Sequence, residues 1–448
     1  MANKTKINVP QKAKFIIDTL MQAGYEAYVV GGCVRDSILG RIPDDWDITT
    51  SASPEQVKAL FSRTVDTGLQ HGTVTVLVDK EGFEVTTYRI DGEYEDSRHP
   101  KEVVFTSHLE EDLKRRDLTI NAMAYNDTDG LVDIFGGMQD IEKKIVRCVG
   151  VAKDRFQEDA LRILRAIRFS AQLGYEIEAD TLEAIKELAP TLSKISAERI
   201  QVELVKLITS PHPEYLKIAY ECGVTKVFFP EFDACMGIEQ NNAHHCYSVG
   251  EHTLQGMCHI APDKVYRLTM LMHDLGKPRA KTTDEAGIDH FHQHEDYSEG
   301  IAKEVLRRLK FDNDTIYKVC KLVKYHDYGK GVTPDAKIVR RAVNKIGEDI
   351  FPLLFEVRKA DILAQSETYR EEKLHLLALW EEVYAEIIAK KECVSLKQLA
   401  VTGADLIQAG ILPGKEMGRI LNGLLEMVLE DPGLNTKEKL LAEVEKYK

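Results

Sequence analysis

The spacing of apolar side chains changes from helical to extended within the first ninety residues. A helical period over 11–23 ends at Gly24, and the short apolar run at 28–30 predicts a buried strand. Apolar and polar residues then alternate over 73–78 and again over 83–89. Because a polar turn containing glycine joins these two stretches, they are predicted to pair as a β-hairpin.

The pattern becomes helical after the first quarter of the chain. Before that point we expect a strand over 45–49 and a helix near 54–61, while the polar, charged stretch 91–108 predicts a loop. From Asp112 onward the periodicity is helical apart from a short strand near 144–149. The sequence therefore predicts an α/β region at the front and a helical region behind it.

Composition narrows the class of protein to a folded, multidomain enzyme. The 448 residues exceed the ~100–200 residues of one ordinary domain, so more than one domain is expected. No apolar run approaches the ~20 residues that a membrane-spanning helix needs. The eight cysteines are scattered without a CxxC pair, and the N-terminus lacks a signal-peptide core. We therefore expect reduced thiols, no membrane partner and a cytoplasmic location.

The net charge of −14 argues against a general nucleic-acid-binding protein. Basic residues are nevertheless concentrated locally, at 114–116 and again over 155–168. A basic groove on an acidic protein is compatible with this distribution.

Two short motifs in the front region carry residues suited to phosphate chemistry. Gly31-Gly32 follows the predicted strand and begins a helix, where free backbone N–H groups and Arg35 can bind phosphate, although a simple tight turn has the same pattern. Asp45 and Asp47 lie two apart in an extended segment, so both carboxylates face one side. Such a pair suits Mg²⁺, and two metals held there can support an in-line displacement, although two surface aspartates are the alternative.

The combination of these motifs with the following hairpin resembles the head of the polymerase-β-like nucleotidyltransferases. The resemblance implies a mixed antiparallel sheet with helices as the fold of the head. In that superfamily a third catalytic carboxylate often comes from a neighbouring strand, and Glu84 is the candidate here.

Five motifs in order narrow the resemblance further. They are GGCVRD at 31–36, DWD at 45–47, RRDLTINA at 115–122, DIFGG at 133–137 and EDALRILR at 158–165. Together they resemble the bacterial class II CCA-adding tRNA nucleotidyltransferases and the related bacterial poly(A) polymerases, over roughly the first 230 residues.

The resemblance assigns nucleotide-binding residues position by position. The residues expected to contact the triphosphate and ribose are Gly32, Arg35, Arg116, Asp117, Asn121, Arg165 and Arg168. Asp159 and Arg162 are expected to read the incoming base without a template, from one face of a helix. A carboxylate and a guanidinium match the donor–acceptor order that cytosine and adenine share. Without the upstream motifs, a solvated, salt-bridged helix would explain 158–168 equally well.

Most of the histidines lie between 244 and 365, and two of them directly precede an aspartate. The doublet His273-Asp274 stands in an apolar helix, where burying both groups is costly unless they pair or bind metal. Imidazole and carboxylate ligands suit Mn²⁺, Fe²⁺, Ni²⁺, Co²⁺ or Mg²⁺.

This second pattern resembles the HD metal-dependent phosphohydrolase domain. Its four basic positions correspond to His252, His273, Asp274 and Asp361, and the extra ligands of two-metal versions correspond to His294 and His326. The resemblance implies a divalent transition metal or Mg²⁺ and an accessory phosphatase or 2′,3′-cyclic phosphodiesterase activity. A domain that keeps the fold for tRNA binding without hydrolysis is the alternative.

The two resemblances together imply four domains. These are a nucleotidyltransferase head at 1–150, a helical neck for base recognition at 151–235, an HD domain at 236–370 and a tRNA-binding helical tail at 371–448. The expected activity is Mg²⁺-dependent, template-independent addition of CCA to tRNA 3′ ends from CTP and ATP, with release of pyrophosphate. The oligomeric state stays open.

Three alternatives stay open at this stage. A poly(A) polymerase is disfavoured by the acidic balance, since a processive RNA-binding enzyme should be basic. An A-adding enzyme shares every motif, whereas the full-length loop 91–108 with Arg98 argues against a CC-only enzyme. From a different class, the chain could be an HD phosphohydrolase whose front half only binds RNA, against which the intact DWD motif argues.

Overall fold

The computed structural model describes residues 6–91 and 103–447 and divides the chain into two units, 1–230 and 231–448. Among these residues, no helix has the length and apolar character that crossing a membrane requires. Arg98, which the sequence places in the long loop, lies outside the described residues.

The first unit is built around a mixed sheet. Its strands are β1 (Ala27–Val30), β2 (Ile48–Thr50), β3 (Thr64–Gly68), β4 (Thr73–Val78), β5 (Glu81–Thr87), β6 (Arg89–Asp91), β7 (Val103–Phe105), β8 (Met123–Asn126), β9 (Gly130–Asp133), β10 (Ile145–Val146) and β11 (Glu176–Ile177). Seven of them form one sheet in the order β3-β4-β5-β2-β1-β8-β9, antiparallel except where β2 pairs with β5. The predicted mixed head sheet is confirmed.

The β4–β5 hairpin follows from alternation and turn chemistry. Val74 and Val76 on β4 and Phe83 and Val85 on β5 are buried, while the residues between them are more exposed. The turn residue Asp79 and the lysine after it both have positive φ, as a two-residue turn of the type I′ class requires. This hairpin fixes the register of the strand that carries Glu84.

Three sequence expectations for the head are wrong. The stretch 91–108 is not a loop throughout, because Val103–Phe105 form β7, which pairs with β6. The chain is not uniformly helical after Asp112, because β8 and β9 form the far edge of the sheet. Four consecutive buried residues on β8 give no alternation from which a strand could be recognised. The DWD motif also precedes its strand instead of lying in it, since β2 begins at Ile48.

Helices cover the sheet and continue beyond it. In the first unit they are α1 (Gln11–Gln22), α2 (Gly32–Ile38), α3 (Pro54–Leu60), α4 (Leu109–Lys114), α5 (Gly137–Lys143), α6 (Ala152–Glu158), α7 (Leu161–Leu173), α8 (Ala179–Leu188), α9 (Ala197–Ile208), α10 (Leu216–Glu221) and α11 (Thr225–Phe228). Helix α7 packs against α9, with Ile163, Leu164 and Ile167 buried. Asp133 caps α5, accepting hydrogen bonds from the Gly137 and Met138 N–H groups at 2.7 and 2.9 Å.

The second unit is helical apart from one two-stranded ribbon, β12 (Thr282–Thr283) with β13 (Asp289–His290). Its helices are α12 (Pro230–Met236), α13 (Val249–Cys258), α14 (Lys264–Met272), α15 (Lys277–Ala280), α16 (His294–Arg308), α17 (Asn313–Tyr325), α18 (Ala336–Ile346), α19 (Leu353–Leu363), α20 (Arg370–Ala389), α21 (Gly403–Gln408), α22 (Lys415–Glu430) and α23 (Lys437–Val444). The expected helical rear is therefore confirmed. The four domain boundaries stay a prediction, and the neck at 151–235 crosses the division between the units at residue 230.

Candidate active site and metal centre

The turn between β1 and α2 requires a glycine at its first position. Gly31 has φ of +81°, a conformation that L side chains rarely adopt. A Cβ at this position would lie 3.0 Å from the Arg116 guanidinium. Arg35, one turn into α2, is buried, so the turn brings two arginines beside the N-terminal end of the helix.

Three carboxylates meet at the edge of β2 and β5. Ile48 pairs with Val85 in the parallel register, so Asp47 and Glu84 stand opposite each other, with Asp45 two residues away. Although the Asp47 side chain is exposed, desolvation of its carboxylate, the neighbouring Asp45 and, to a lesser extent, Glu84 raise its pKa to about 6 against the opposing charge of Arg116. Among the described residues, none of these carboxylates has a basic partner within 4 Å. An uncompensated carboxylate group of this kind fits a hard divalent cation.

A chain of polar contacts links the predicted nucleotide-binding residues. Arg35 donates to the Asn121 side-chain oxygen, and Asn121 donates to Asp117 at 3.4 Å. Arg165 donates to the other oxygen of Asp117 at 2.6 Å. Although burial alone would raise it, the pKa of Asp117 is held well below its usual range by Arg165 and Arg162. The structure thus brings residues from three separate motifs into one network.

The network continues to groups that sequence reasoning gave no role in nucleotide binding. Glu203 on α9 accepts from Arg168 at 2.6 Å and lies 3.9 Å from Arg165. The ring of Phe169 lies under Arg35, Arg165 and Arg168, whose guanidinium carbons are 4.8, 5.5 and 3.7 Å from its centroid. Only the stretch 196–203, which resembles a family motif, signalled Glu203.

Asp159 and Arg162 are not arranged as the helical spacing predicts. Asp159 lies between α6 and α7 and accepts from Arg199 at 2.7 Å. Arg162 instead donates to Glu158 at 2.7 Å and to the Arg115 carbonyl at 3.0 Å. The expectation of one shared helix face is wrong because the helix is interrupted at 159–160.

Six histidine and aspartate side chains converge in the second unit, as the sequence predicts. His252 lies on α13, His273-Asp274 after α14, His294 at the start of α16, His326 after α17 and Asp361 on α19. Their ligand atoms form two overlapping groups: His252, His273 and Asp274, and Asp274, His294 and His326. Asp361 completes the first group, with an oxygen 2.9 Å from His252 Nε2.

Asp274 lies between the two groups. Its Oδ2 is 3.2 Å from His273 Nε2, and its Oδ1 is 3.2 Å from His294 Nε2. Both oxygens are buried, and the Lys277 ammonium nitrogen lies 2.7 Å from Oδ2. Although burial alone would raise it, the pKa of Asp274 is held well below its ordinary value by His273 and Lys277. An ionised, buried carboxylate whose two oxygens face the Nε2 atoms of both groups fits a bridging metal ligand.

Every histidine of the cluster is oriented by a backbone carbonyl. The Nδ1 atoms of His273, His294 and His326 lie 2.7, 2.9 and 2.7 Å from the carbonyl oxygens three residues earlier. The Nδ1 of His252 lies 3.2 Å from the Ala364 carbonyl oxygen. In the tautomer that carries its proton on Nδ1, that nitrogen donates outward to the carbonyl, and Nε2 faces the cluster with the lone pair that a metal ligand needs. Burial also lowers the pKa of His326 to about 4, which keeps that imidazole neutral.

A cleft of about 470 Å³ opens beside this cluster. Its lining includes His294 from the cluster together with His245, Lys277, Asp327 and Lys330. Lys277 donates to Gln240 at 2.8 Å and lies 2.7 Å from Asp274 Oδ2. Sequence reasoning did not single out His245, Lys277, Asp327 or Lys330, although Asp327 directly follows His326 as Asp274 follows His273.

Three protein-family models match the chain. They are described as "Poly A polymerase head domain" over 27–147, "Probable RNA and SrmB- binding site of polymerase A" over 174–236 and "tRNA nucleotidyltransferase domain 2" over 281–444. The first covers the sheet with its carboxylates, and the third covers much of the helical unit.

Curated relatives match over nearly the whole length. A CCA-adding enzyme of Levilactobacillus brevis is 36% identical over 434 residues, 97% of either chain. One of Leuconostoc mesenteroides is 36% identical over 438 residues, 96% of this chain and 94% of the relative. The solved CCA-adding enzyme of Bacillus stearothermophilus in complex with CTP is 30% identical, with a TM-score of 0.72 over 98% of this chain and 97% of that one. The Thermotoga maritima enzyme complexed with tRNA, 20% identical with a TM-score of 0.60 over 99% of this chain and 97% of that one, shares the fold.

Proposed function

This chain belongs to the family of CCA-adding enzymes, and from that premise we propose that it adds C, C and A to tRNA 3′ ends from CTP and ATP. The reaction joins the 3′-hydroxyl of tRNA to the α-phosphate of the nucleotide and releases pyrophosphate. The observation that carries the proposal is the meeting of Asp45, Asp47 and Glu84 beside the Gly31-Gly32 turn. A cytoplasmic location agrees with tRNA as the substrate.

The family depends on a divalent metal, and we propose Mg²⁺ held by Asp45 and Asp47, with Glu84 as the third carboxylate. When bound there, the metal supplies charge stabilisation to the attacking and leaving oxygens. The carboxylates fit it because they are oxygen ligands that lack a basic partner among the described residues. The pKa of Asp47 is raised mainly by desolvation and then by the neighbouring Asp45, a like charge that a bound cation would offset.

The basic residues around the turn are suited to the triphosphate. Gly32 offers its backbone, while Arg35, Arg116, Arg165 and Arg168 offer guanidinium groups. Asp117 and Asn121 present an acceptor and a donor for sugar hydroxyls, within hydrogen-bond reach of the arginines.

Asp159 and Arg162 can recognise a base only if their present side-chain contacts break. Arg199 holds the carboxylate, and Glu158 holds the guanidinium. We propose that nucleotide binding exchanges these contacts for the base edge, so that the pair accepts C and A from one position. The head at 1–150 then supplies chemistry, and the neck at 151–235 supplies selection.

A tRNA transcript without its CCA end, given Mg²⁺ and labelled CTP, ATP or both, tests the activity directly. Addition of C, C and A followed by a stop supports the proposal. Incorporation of A alone onto a CC end identifies an A-adding enzyme, and long A tails identify a poly(A) polymerase. No incorporation refutes nucleotidyl transfer and leaves only an HD enzyme with an RNA-binding front half.

A matched pair of variants tests the site. Asp45→Ala should reduce incorporation by at least about 100-fold, because a ligand that stabilises transition-state charge is lost. Asp44→Ala removes the neighbouring exposed carboxylate and should retain activity. Equal activities in the two variants would exclude Asp45 as a metal ligand.

We also propose a metal centre in the second unit, at 236–370, held by the six residues His252, His273, Asp274, His294, His326 and Asp361. Four Nε2 atoms facing two carboxylates fit Mn²⁺, Fe²⁺, Co²⁺, Ni²⁺ or Mg²⁺. The chemistry supplied there would be phosphate-ester hydrolysis, as an accessory phosphatase or 2′,3′-cyclic phosphodiesterase. The helical tail at 371–448 is proposed to contact tRNA.

Equilibrium binding of Mn²⁺ after chelator dialysis tests this centre. Asp274→Asn should abolish tight binding, because that carboxylate belongs to both ligand groups. Asp296→Asn, which changes an exposed carboxylate on α16, is the control. Unchanged binding in the Asp274 variant would refute the centre.

A further inference from the structure

The cluster of six histidine and aspartate side chains in the second unit borders two separate cavities. The cleft of about 470 Å³ lies on the side of His294, and a smaller cavity lies on the side of His326 and Asp361. Asp327 and Lys330 line both spaces. A ligand bound at the cluster would therefore meet this pair from either side.

Arg358 lines the smaller cavity and is one turn before Asp361 on α19. Side chains three residues apart share a helix face, so the guanidinium points to the same side as the metal ligand. Its one described contact is with the ring of Trp380, at 5.7 Å from the centroid. Within the described part of the chain it makes no hydrogen bond and no ion pair within 4 Å. Burial lowers the pKa of Arg358, yet a guanidinium stays charged in proteins.

Lys330 is the second cationic side chain that lines the smaller cavity. Its Nζ lies 3.2 Å from both oxygens of Asp327, and about half of the side chain is exposed. Although burial alone would lower it, the pKa of Lys330 is raised by the carboxylates of Asp327 and Asp361. The lysine is therefore charged and held in place by Asp327, while its remaining N–H groups stay open.

The carboxylates of this region are already compensated. Asp274 has Lys277 at 2.7 Å, Asp361 has His252 at 2.9 Å and accepts from Gln365, and Asp327 has Lys330. Arg358 is left without a counter-ion in contact. A charged donor fork next to a metal cluster, with no acceptor of its own, is suited to a phosphate oxygen.

We propose that Arg358 and Lys330 bind the phosphate group of the substrate at this metal centre, and that the substrate is a phosphate monoester. Asp327 is the positioning residue that holds Lys330. The proposal rests on the metal centre described above and adds the side chains that recognise the ligand. Two cations and a divalent metal attract a dianionic monoester more strongly than a monoanionic diester.

Calorimetric titration of the full chain tests the proposal with Mn²⁺ and inorganic phosphate as probes. Arg358→Gln should weaken phosphate binding to the Mn²⁺-loaded protein at least tenfold while changing the Mn²⁺ affinity less than twofold. Lys330→Gln should weaken phosphate binding severalfold. Lys359→Gln changes the next, exposed cation on α19 and should leave phosphate binding as in the unmodified chain.

The outcomes separate this proposal from the metal centre itself. Mn²⁺ binding with no phosphate binding, or equal phosphate affinity in the Arg358 and Lys359 variants, overturns the phosphate site and leaves the metal centre standing. Absence of Mn²⁺ binding overturns both. Displacement of phosphate by 3′-AMP or by an RNA oligonucleotide ending in a 3′-phosphate supports the monoester and identifies its source, whereas failure of both overturns the monoester class.

Discussion

Removing Glu203 should destabilise the first unit because it leaves a buried cation unpaired. The side chains of Glu203 and Arg168 are each 6% exposed and lie 2.6 Å apart. Breaking a buried ion pair on one side costs about 3–5 kcal/mol, and at this burial solvent screens little of it. For Glu203→Ala we therefore expect a loss of about 3–5 kcal/mol.

Thermal unfolding can measure that loss. For a unit of this size, each kcal/mol corresponds to about 2–4 °C, so the midpoint of the first unit should fall by roughly 6–20 °C. The residual contacts of Arg168, with Gln172 at 2.8 Å and with the ring of Phe169, place the result toward the lower part of that range. Glu203→Gln keeps an acceptor and should cost less than half as much.

Glu198 provides the matched control, since it is an exposed glutamate on the same helix α9. Its replacement by alanine should change stability by less than about 0.5 kcal/mol. If the two alanine variants unfold within about 1 kcal/mol of each other, the charge network around Arg168 does not stabilise the neck, and the reasoning fails. Nucleotide binding by the folded variant should weaken as well, because Glu203 also lies beside Arg165.

Further predictions concern the nucleotide site. Desolvation and Asp45 raise the pKa of Asp47 to about 6, so nucleotide incorporation at limiting Mg²⁺ should fall as the pH drops through 6. Excess Mg²⁺ should move the midpoint of this pH profile to a lower pH. A midpoint that does not depend on Mg²⁺ would contradict the prediction. Gly31→Ala should weaken CTP binding more than tenfold, through backbone strain and displacement of the Arg116 guanidinium that lies 3.0 Å from the added Cβ. Gly24→Ala, which has positive φ but no neighbour within 4 Å, is the control. Arg199→Ala should lower the KM for CTP and ATP severalfold, because Asp159 no longer has to leave Arg199 before it contacts the base, and lysine at this position should restore the original KM. An unchanged KM in the alanine variant would contradict the proposed exchange of contacts.

The sequence predicted those parts of the fold that depend on residues close together in the chain. The β4–β5 hairpin followed from alternation and turn residues, and the parallel pairing of β2 with β5 then set Asp47 opposite Glu84. The strand β8 was missed because a strand buried on both faces has no alternation, and β9 was missed because its four residues are all half-buried and give no alternation either.

Long-range contacts limited how much of the candidate site could be predicted from the sequence. Asp159 and Arg162 were placed together by helical spacing, but the partner of Asp159 lies forty residues away on α9. No periodicity predicts such a contact, since it depends on how α7 and α9 pack. The histidine cluster was predictable because His-Asp doublets in apolar surroundings require compensation, whereas Arg358 resembles any other helical arginine until the cavity is seen.

The outward-facing Nδ1–H bonds of the four cluster histidines have a consequence for handling the protein. At the metal centre proposed above, rings already oriented by the backbone would bind an ion with little rearrangement, and imidazole and carboxylate ligands would not discriminate strongly among first-row ions. Occupancy then follows the general affinity order and whatever ion is abundant. A sample purified over nickel resin should therefore carry a different metal from one grown with manganese, and the metal content should depend on how each preparation was made.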